Sequence, residues 1–146
     1  MIAVDQSKNM IEEMRKKISE VNGIDYRVGS MENLPIADKT VDYVFANMVL
    51  HHIDSPPDAI REMTRILKPG GKIIITDLDE HNFEFLKTEH KDRWMGFKRD
   101  DVKKWFSNAG LKNVSVDCVG ENCCATSSSG CQNATVSIFV AFGQKR

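Results

Sequence analysis

The sequence lacks three features: a long apolar run, an excess of either charge, and a glycine-rich turn before a helix. No run approaches the roughly 20 apolar residues of a membrane-spanning helix, and residues 1–5 lack the pattern of a secretory signal. Twenty Lys and Arg against 21 Asp and Glu leave a net charge of -1, so no basic field attracts nucleic acid or anionic lipid. These absences predict a cytoplasmic protein that binds neither nucleic acid nor a membrane.

Cysteine is scarce and is confined to one segment, at Cys118, Cys123, Cys124 and Cys131. Without a secretory signal, reduced thiols are expected rather than disulfides. The thiolates of Cys123, Cys124 and Cys131, with or without Cys118, are candidates for holding a soft metal ion or arsenic. Their spacing differs from the paired Cys-x-x-Cys pattern of zinc sites, and we predict a polar loop without a metal.

The composition is that of an ordinary globular domain. The chain has 146 residues, of which 41% are hydrophobic and 28% are charged. These values differ from those of disordered or fibrous chains. The length corresponds to one domain with one hydrophobic core, so we predict a single domain over residues 1–146.

Strand-like and helix-like patterns alternate in the first half of the chain. The strand-like runs are residues 1–5, 24–28, 41–46 and 72–77. Helical spacing of apolar residues over 10–21 and 60–67 indicates helices between them. Residues 55–58 (SPPD) resemble a capping box at the start of the second helix. This alternation predicts a parallel sheet covered by helices and joined by right-handed crossovers.

The second half of the chain has a different pattern. Residues 83–94 and 100–109 are predicted to be helical, and Gly110 ends the second of these helices. Residues 114–118 and 135–142 are strand-like runs joined by a connector rich in Ser, Gly, Asn and Cys. They predict an antiparallel hairpin with a long loop. The expected fold class is therefore α/β, with a mostly parallel sheet and an antiparallel C-terminal hairpin.

An ordered set of motifs covers nearly the whole chain. In order, these are Val4-Asp5, residues 29–35 (GSMENLP), 41–44 (VDYV), His51-His52, residues 67–71 (LKPGG) and the terminal hairpin. The set resembles class I S-adenosylmethionine (SAM)-dependent methyltransferases, most closely the type 11 domain of ubiquinone/menaquinone biosynthesis. Residues 89–97 (EHKDRWMGF) with 121–124 (ENCC) further resemble methyltransferase domains fused behind metal-sensing repressor domains.

The resemblance implies a Rossmann-like sheet in which the first strand of the family lies between the second and the fourth. The chain resembles the family from the second strand onward, so the expected fold is N-terminally truncated and lacks the glycine-rich loop that approaches the cofactor. An unfilled position in the sheet would leave backbone groups unpaired. We expect either that the second family strand pairs directly with the fourth, or that a second copy fills the gap in a homo-oligomer.

The resemblance also implies a cofactor site for SAM. Asp5 would accept hydrogen bonds from the ribose hydroxyls, as in dinucleotide-binding folds. Ser30, Met31 and Glu32 would surround the adenine. Because Ser30 stands where the family usually has an acid, the hydrogen bond to the adenine amino group would be either weaker or made by Glu32. Asn47 would lie beside the methionine moiety. The alternatives are a capping or solvent-facing Asp5 and a purely apolar core role for Met31.

His51 and His52 follow the strand that ends near Asn47. A histidine there could accept a proton from an incoming nucleophile, because its pKa lies near neutrality. The alternative, which we favour, is that the pair packs or hydrogen-bonds before the next helix. Asp77, Asp79 and His81 follow the next strand and either line an acceptor pocket or form a solvated loop.

Two functions are compatible with these residues. The first is SAM-dependent methyl transfer to a small-molecule acceptor, impaired to the extent that the glycine loop is needed. The second is a catalytically inactive methyltransferase remnant that acts as a binding or oligomerising domain. Binding of S-adenosylhomocysteine discriminates between the two.

Overall fold

Strands and helices alternate along the chain in the computed structural model, which describes residues 1–146. The strands are β1 (Ile2–Asp5), β2 (Asp25–Val28), β3 (Val41–Asn47), β4 (Leu67–Leu78), β5 (Leu111–Thr126) and β6 (Asn133–Lys145). The helices are α1 (Lys8–Lys17), α2 (Pro56–Ile66), α3 (Glu84–Glu89) and α4 (Arg99–Asn108), with a 3-10 turn at Leu50–His52. None of the helices combines the length and the apolarity that crossing a membrane requires.

The strands form two sheets rather than one. β1 pairs with β2 in parallel, and the larger sheet has the order β3-β4-β6-β5. β3 and β4 are parallel, whereas β6 runs antiparallel to both β4 and β5. The predicted α/β class and the C-terminal hairpin are confirmed. The predicted long loop is wrong, because residues 122–126 pair with 133–137 and leave a turn of residues 127–132, so Cys118, Cys123 and Cys124 lie on β5. The sheet is mixed rather than mostly parallel, because the short connection between β5 and β6 returns β6 in the opposite direction beside β4.

The hydrophobic core belongs mainly to the larger sheet. α2 and α4 pack with β4 and β6 in one cluster, in which five of the large side chains are fully buried: Ile60, Met63, Ile73, Phe106 and Phe139. In contrast, Ile11 is the one buried residue within residues 1–30. Burial of apolar area is the main stabilising contribution to folding, so the larger sheet holds most of the stability.

A cleft separates the two sheets. Of the two arrangements expected, direct pairing of β1 with β3 is wrong, since the two strands lie in different sheets, and filling of the gap by a second copy stays a prediction. The cleft has a volume of about 570 Å³ and a mostly apolar lining that includes Val4, Val44 and Phe45. The two edges stay apart because the segment between β2 and β3 packs below the cleft, where Leu34 and Ile36 are buried.

Two arginines, one from each side of the cleft, hold residues 34–36 of that segment. Arg27 of β2 donates a hydrogen bond to the carbonyl oxygen of Pro35 at 2.5 Å. Arg65 of α2 donates to the carbonyl oxygens of Leu34 and Ile36 at 3.2 and 2.9 Å. The segment therefore joins the small sheet to the large one, although β1 and β3 form no backbone hydrogen bonds with each other.

Candidate functional site

The ends of β1 and β2 lie at one edge of the small sheet. Asp5 pairs with Val28 in the parallel ladder, and the N–H of Gly29 donates to the carbonyl oxygen of Asp5 at 3.0 Å. Ser30 follows directly, so it lies at the same edge as Asp5. The Oδ1 atom of Asp5 accepts a hydrogen bond from the N–H of Ser7 at 2.7 Å, which fixes the half-buried carboxylate at the start of α1.

Glu32 connects this edge to the large sheet. Its Oε1 atom accepts a hydrogen bond from the N–H of Ser55 at 3.0 Å, and its Oε2 accepts from Ser30 Oγ at 3.3 Å. Ser55 immediately precedes α2, and its own side chain makes no capping bond. The predicted capping box is therefore absent, because a carboxylate from the loop after β2 satisfies this backbone donor instead. Glu32 thereby links the loop after β2 to the start of α2, the helix that follows β3.

Asn47 is the last residue of β3. It pairs with Thr76 of β4, and its Oδ1 atom accepts a hydrogen bond from the Thr76 hydroxyl. Met48 follows with φ 53°, a left-handed backbone conformation that residues other than glycine rarely adopt. This conformation turns the chain sharply from β3 into the 3-10 turn, which brings His51 back over the end of β4. Such strain is typical of sites where the surrounding structure imposes the conformation.

His51 is held by Asp77 at the end of β4. The Nδ1 atom of His51 lies 2.6 Å from Oδ1 of Asp77, which is fully buried. Asp77 also accepts the backbone N–H of Leu50 at 2.8 Å and that of Leu78 at 2.7 Å. Because the carboxylate accepts from each of these donors, the proton of His51 belongs on Nδ1, and Nε2 points away from Asp77.

The surroundings of His51 shift its pKa in both directions. Burial lowers the pKa, whereas the hydrogen bond to Asp77 and the charges of Asp77 and Asp92 raise it, and the net result is an increase. The pKa of His81 is lowered, chiefly by burial, with a smaller opposing effect from the charge of Asp92. These histidines thus titrate in the field of Asp92, a residue some 40 positions away from His51 in the sequence.

Asp92 lies between the histidines. Its Oδ1 atom is 3.7 Å from Nε2 of His51 and 3.6 Å from Nδ1 of His52, both too long for a hydrogen bond. Asp92 is 5% exposed, and this Oδ1 has no hydrogen-bond partner. The Nε2 atom of His81, a residue 8% exposed, is also buried without a partner.

Backbone hydrogen bonds hold the Asp92 segment over the 3-10 turn. The N–H groups of Arg93 and Trp94 donate to the carbonyl oxygen of His51 at 2.9 and 3.1 Å. The N–H of Phe97 donates to the carbonyl oxygen of Leu78 at 3.0 Å. Gly96 has φ 70°, and a Cβ atom there would collide with the Asp79 carbonyl group. The predicted helix over 83–94 is therefore shorter, because its second half is tied to His51 instead.

Asp79 is engaged in an ion pair rather than facing a pocket. Arg99 of α4 donates to its two carboxylate oxygens at 2.8 and 2.6 Å, and Ser137 of β6 donates at 2.6 Å. The hydrogen bond from Arg99, followed by that from Ser137, holds the pKa of Asp79 below its usual value against the opposing effect of burial. Asp79 thus fixes the end of β4 to α4 and β6.

The cysteines lie far along the hairpin. Cys123 and Cys124 are consecutive residues of β5, so their side chains point to opposite faces of the sheet. The Sγ atom of Cys131 donates to the carbonyl oxygen of Ser129 in the turn before β6, at 3.6 Å. All four cysteines are free thiols. Metal binding by these residues stays a hypothesis. A titration of the thiols with and without zinc or arsenite would test it.

Sequence reasoning missed the role of Asp92. The residue falls within the helix predicted over 83–94, and nothing local relates it to His51. The Glu32–Ser55 contact was also missed, since it replaces a local capping pattern with one that spans 23 positions. No local signal in the sequence pointed to either contact.

The fold and the edge define the class of the protein. An open α/β sheet with polar side chains at the carboxyl ends of its parallel strands is the arrangement in which α/β folds bind ligands. The methyltransferase domain family matches residues 1–75, about half of the chain. The chain belongs to the class I SAM-dependent methyltransferases, whose methyl donor is S-adenosyl-L-methionine.

Similar proteins agree with this assignment. The chloroplastic 2-methyl-6-phytyl-1,4-hydroquinone methyltransferase 1 of Oryza sativa subsp. japonica is 34% identical over 119 residues, 80% of this chain and 35% of that enzyme. A Bacillus halodurans C-125 protein described as a methyltransferase has a TM-score of 0.80 at 14% identity, over 99% of this chain and 82% of that one. The chain spans less than two thirds of the length of the curated relatives that it matches.

A third similar protein was solved with the cofactor of the family. Phosphoethanolamine N-methyltransferase 2 of Haemonchus contortus, in complex with S-adenosyl-L-methionine, has a TM-score of 0.77 at 14% identity. The likeness covers 99% of this chain and 43% of that one. At this identity the comparison shows that the two chains share a fold.

Proposed function

We propose that the chain takes part in methyl transfer from SAM to a small organic acceptor. The observation that carries the proposal is the hydrogen bond between Glu32 and Ser55, which ties the loop after β2, next to Asp5 and Ser30, to the start of α2, eight residues after Asn47. In this proposal one ligand lies across the ends of β1, β2 and β3 and contacts residues of both sheets. The rice relative is named for a hydroquinone, which supports a small organic acceptor.

The residues at the edge fit the ribose end of the cofactor. The carboxylate of Asp5 is fixed by the Ser7 N–H through one oxygen. A carboxylate has about four acceptor positions, so Asp5 retains the capacity to accept both ribose hydroxyls. Such charge-assisted hydrogen bonds are stronger than neutral ones. In this proposal the capping role and the ribose role of Asp5 are compatible.

The fit at the adenine end depends on the loop after β2. Glu32 already accepts hydrogen bonds from Ser30 and Ser55. We therefore assign it mainly to holding the loop in shape, while the backbone and half-buried side chain of Met31 contact the ring. Met31 lies among the apolar residues around the cleft, where a flexible thioether adapts well to an aromatic surface.

The chain needs to align and shield the reactants rather than attack them. When bound, SAM supplies a methyl group on a sulfonium, which is already an excellent leaving group. Asn47 at the end of β3 would contact the methionine moiety, and His51 and His52 would line the acceptor side. Alignment alone can supply a large part of a rate enhancement. We therefore do not require either histidine to act as a base.

Calorimetric titration with S-adenosylhomocysteine tests the cofactor site. Micromolar binding is expected for the wild-type chain. Asp5→Asn keeps the acceptor for Ser7 but removes the charge, and should weaken binding at least about tenfold, since hydrogen bonds to charged groups contribute roughly 1.5–3 kcal/mol. Glu12→Gln changes an exposed acid of α1 and should bind like the wild type. Absence of binding at millimolar ligand would contradict the proposal.

A second role is favoured by the exposed edges beside the cleft. Phe45 and Tyr43 of β3 are 74% and 57% exposed, an unusual state for large apolar side chains in a strand. We propose that a strand from a second copy occupies the cleft, and that cofactor affinity is lower while the cleft is unfilled. Sedimentation equilibrium should show association that Phe45→Lys abolishes. A wild-type chain that stays monomeric at all concentrations would exclude this role.

The same proposal places the reaction in the cytoplasm. The four free cysteines support this location, since thiols stay reduced there.

A further inference from the structure

We propose that His51, His52 and Asp92 bind a divalent metal ion of the zinc type at the carboxyl edge of β3 and β4. The side-chain ligand atoms of the three residues lie within 4.8 Å of one another. This site is separate from the cysteines, and metal binding there can be measured whether or not the chain transfers methyl groups. The inference therefore stands or fails independently of the proposed function.

The interatomic distances fit a shared cation better than hydrogen bonds. Asp92 Oδ1 lies 3.7 Å from His51 Nε2 and 3.6 Å from His52 Nδ1. In a tetrahedral zinc site with bonds of about 2.0–2.1 Å, neighbouring ligand atoms are roughly 3.3 Å apart. A shift of a few tenths of an ångström therefore brings Asp92 and each histidine to the spacing of two ligands of one ion, and the two histidine nitrogens, within 4.8 Å of each other, must also approach.

The burial of Asp92 indicates that something positive belongs beside it. Its Oδ1 is buried and has no hydrogen-bond donor. A buried carboxylate oxygen without a partner is expensive, and buried charges are normally paired or bound to metals. The neighbouring cation in the sequence, Arg93, forms an ion pair with Asp54 instead. Nitrogen atoms of His51 and His52 lie 3.7 and 3.6 Å from this oxygen.

Asp77 orients His51 as a metal ligand requires. Metal-binding histidines usually donate their second ring N–H to a carboxylate or a carbonyl group, which fixes the tautomer and makes the free nitrogen more basic. Here Nδ1 of His51 bonds to Asp77 at 2.6 Å, which leaves the lone pair of Nε2 directed towards Asp92. Backbone donors satisfy Asp77 itself, so its geometry does not depend on the ion.

Two imidazoles and one carboxylate favour a particular class of ion. Imidazole suits zinc, iron, nickel and copper, whereas calcium and magnesium prefer sites made of oxygen ligands. Three protein ligands with one open position are typical of catalytic zinc. His52 is half-exposed, so water or an acceptor atom can reach the open position from that side.

Calorimetry with Zn²⁺ on the metal-free full-length chain tests the proposal, with Co²⁺ absorption as a second readout. One zinc ion should bind per chain, and Co²⁺ should give the visible spectrum of a tetrahedral site. Asp92→Asn and His52→Ala should each weaken zinc binding by at least about tenfold. Loss of a residue that only orients a ligand already lowers metal affinity by about 10–100-fold, and loss of a ligand itself should cost at least as much. Both substitutions are conservative for folding, because one is isosteric and the other is at a half-exposed side chain.

Two controls separate this site from others on the chain. His90→Ala removes an exposed histidine outside the cluster and should leave zinc affinity unchanged. Replacing Cys123 and Cys124 by Ser should likewise have no effect. The proposal is overturned if the wild-type chain binds no zinc at 100-fold excess, which would mean that a proton on His51 satisfies Asp92. It is also overturned if binding survives in Asp92→Asn and disappears in the cysteine variant.

Discussion

The small sheet and the large sheet differ in how they are held. The β1–β2 unit, with α1, buries one residue, Ile11, and its strands have four residues each. In the large sheet, β4 alone contributes Leu67, Ile73 and Ile75 at 0% exposure. Both units carry residues of the proposed cofactor site. The half of the site that contains Asp5 therefore belongs to the less stable part of the molecule, as is common for ligand-binding regions.

The two sides of the proposed site differ in the same way as the two sheets. The side that holds His51 and Asp77 is buried, strongly hydrogen-bonded and attached to the core of the large sheet. The side that holds Asp5 and Ser30 is linked to it mainly through Glu32, Arg27 and the segment between β2 and β3. Cofactor binding is expected to bring the two sides together, whereas the acceptor side is already formed.

Truncation of Phe106 should cause the largest loss of stability. Phe106 is fully buried between α4 and the large sheet, and Phe106→Ala should lower the free energy of unfolding by about 3–5 kcal/mol. Ile11→Ala in the small sheet should cost less, about 2 kcal/mol, and act mainly on local opening. Urea unfolding with hydrogen exchange measures both effects. Equal global losses from the two variants would contradict the contrast between the sheets.

Gly96→Ala should have the next largest effect. The substitution places a side chain at φ 70° and against the Asp79 carbonyl group, so the Asp92 segment must move away from β4. We expect a loss of about 2–3 kcal/mol from strain and overpacking. Gly120→Ala is the matched control, because its φ is also positive but no atom lies within 4 Å of the added Cβ. Thermal unfolding of both variants would show whether the collision, rather than the conformation, matters.

Asp79→Asn should have a smaller effect that depends on pH. The pKa of Asp79 is lowered in the folded chain, so its ion pair contributes stability above the unfolded pKa of about 3.9 and loses it as pH falls through the folded pKa. At neutral pH the variant should be less stable by about 1–2 kcal/mol. The difference from the wild type should shrink as pH falls below about 4. A difference that stays constant down to pH 2 would show that the charge is not responsible.

The sequence predicted the elements well and the contacts between distant elements poorly. α4, the C-terminal hairpin and the strand ends at Asp5 and Asn47 follow from local patterns of apolar residues and acids. The position of Asp92 beside His51 depends on a glycine at 96 and on backbone bonds to the 3-10 turn, which no local pattern records. Local propensity determines elements, whereas long-range packing determines which polar groups meet.

The separation of β1 from β3 could not be predicted for a related reason. Both strands have the composition of strands covered on both sides, which indicates a neighbour without identifying it. In the structure the buried Leu34 and Ile36 line the cleft between the two strands, and Arg27 and Arg65 bind carbonyl oxygens of residues 34–36 from the two sheets. The order of charged residues along the sequence does not show which carbonyl oxygens these two arginines bind.

Hydrogen exchange with and without S-adenosylhomocysteine tests the central claim most directly, that one cofactor bridges the two sheets at their common edge. With saturating ligand, amides of residues 5–7, 29–34 and 47–52 should all gain protection, and those of the small sheet should gain most because they start least protected. Protection confined to one of the two sheets, or located at the hairpin, would contradict the claim.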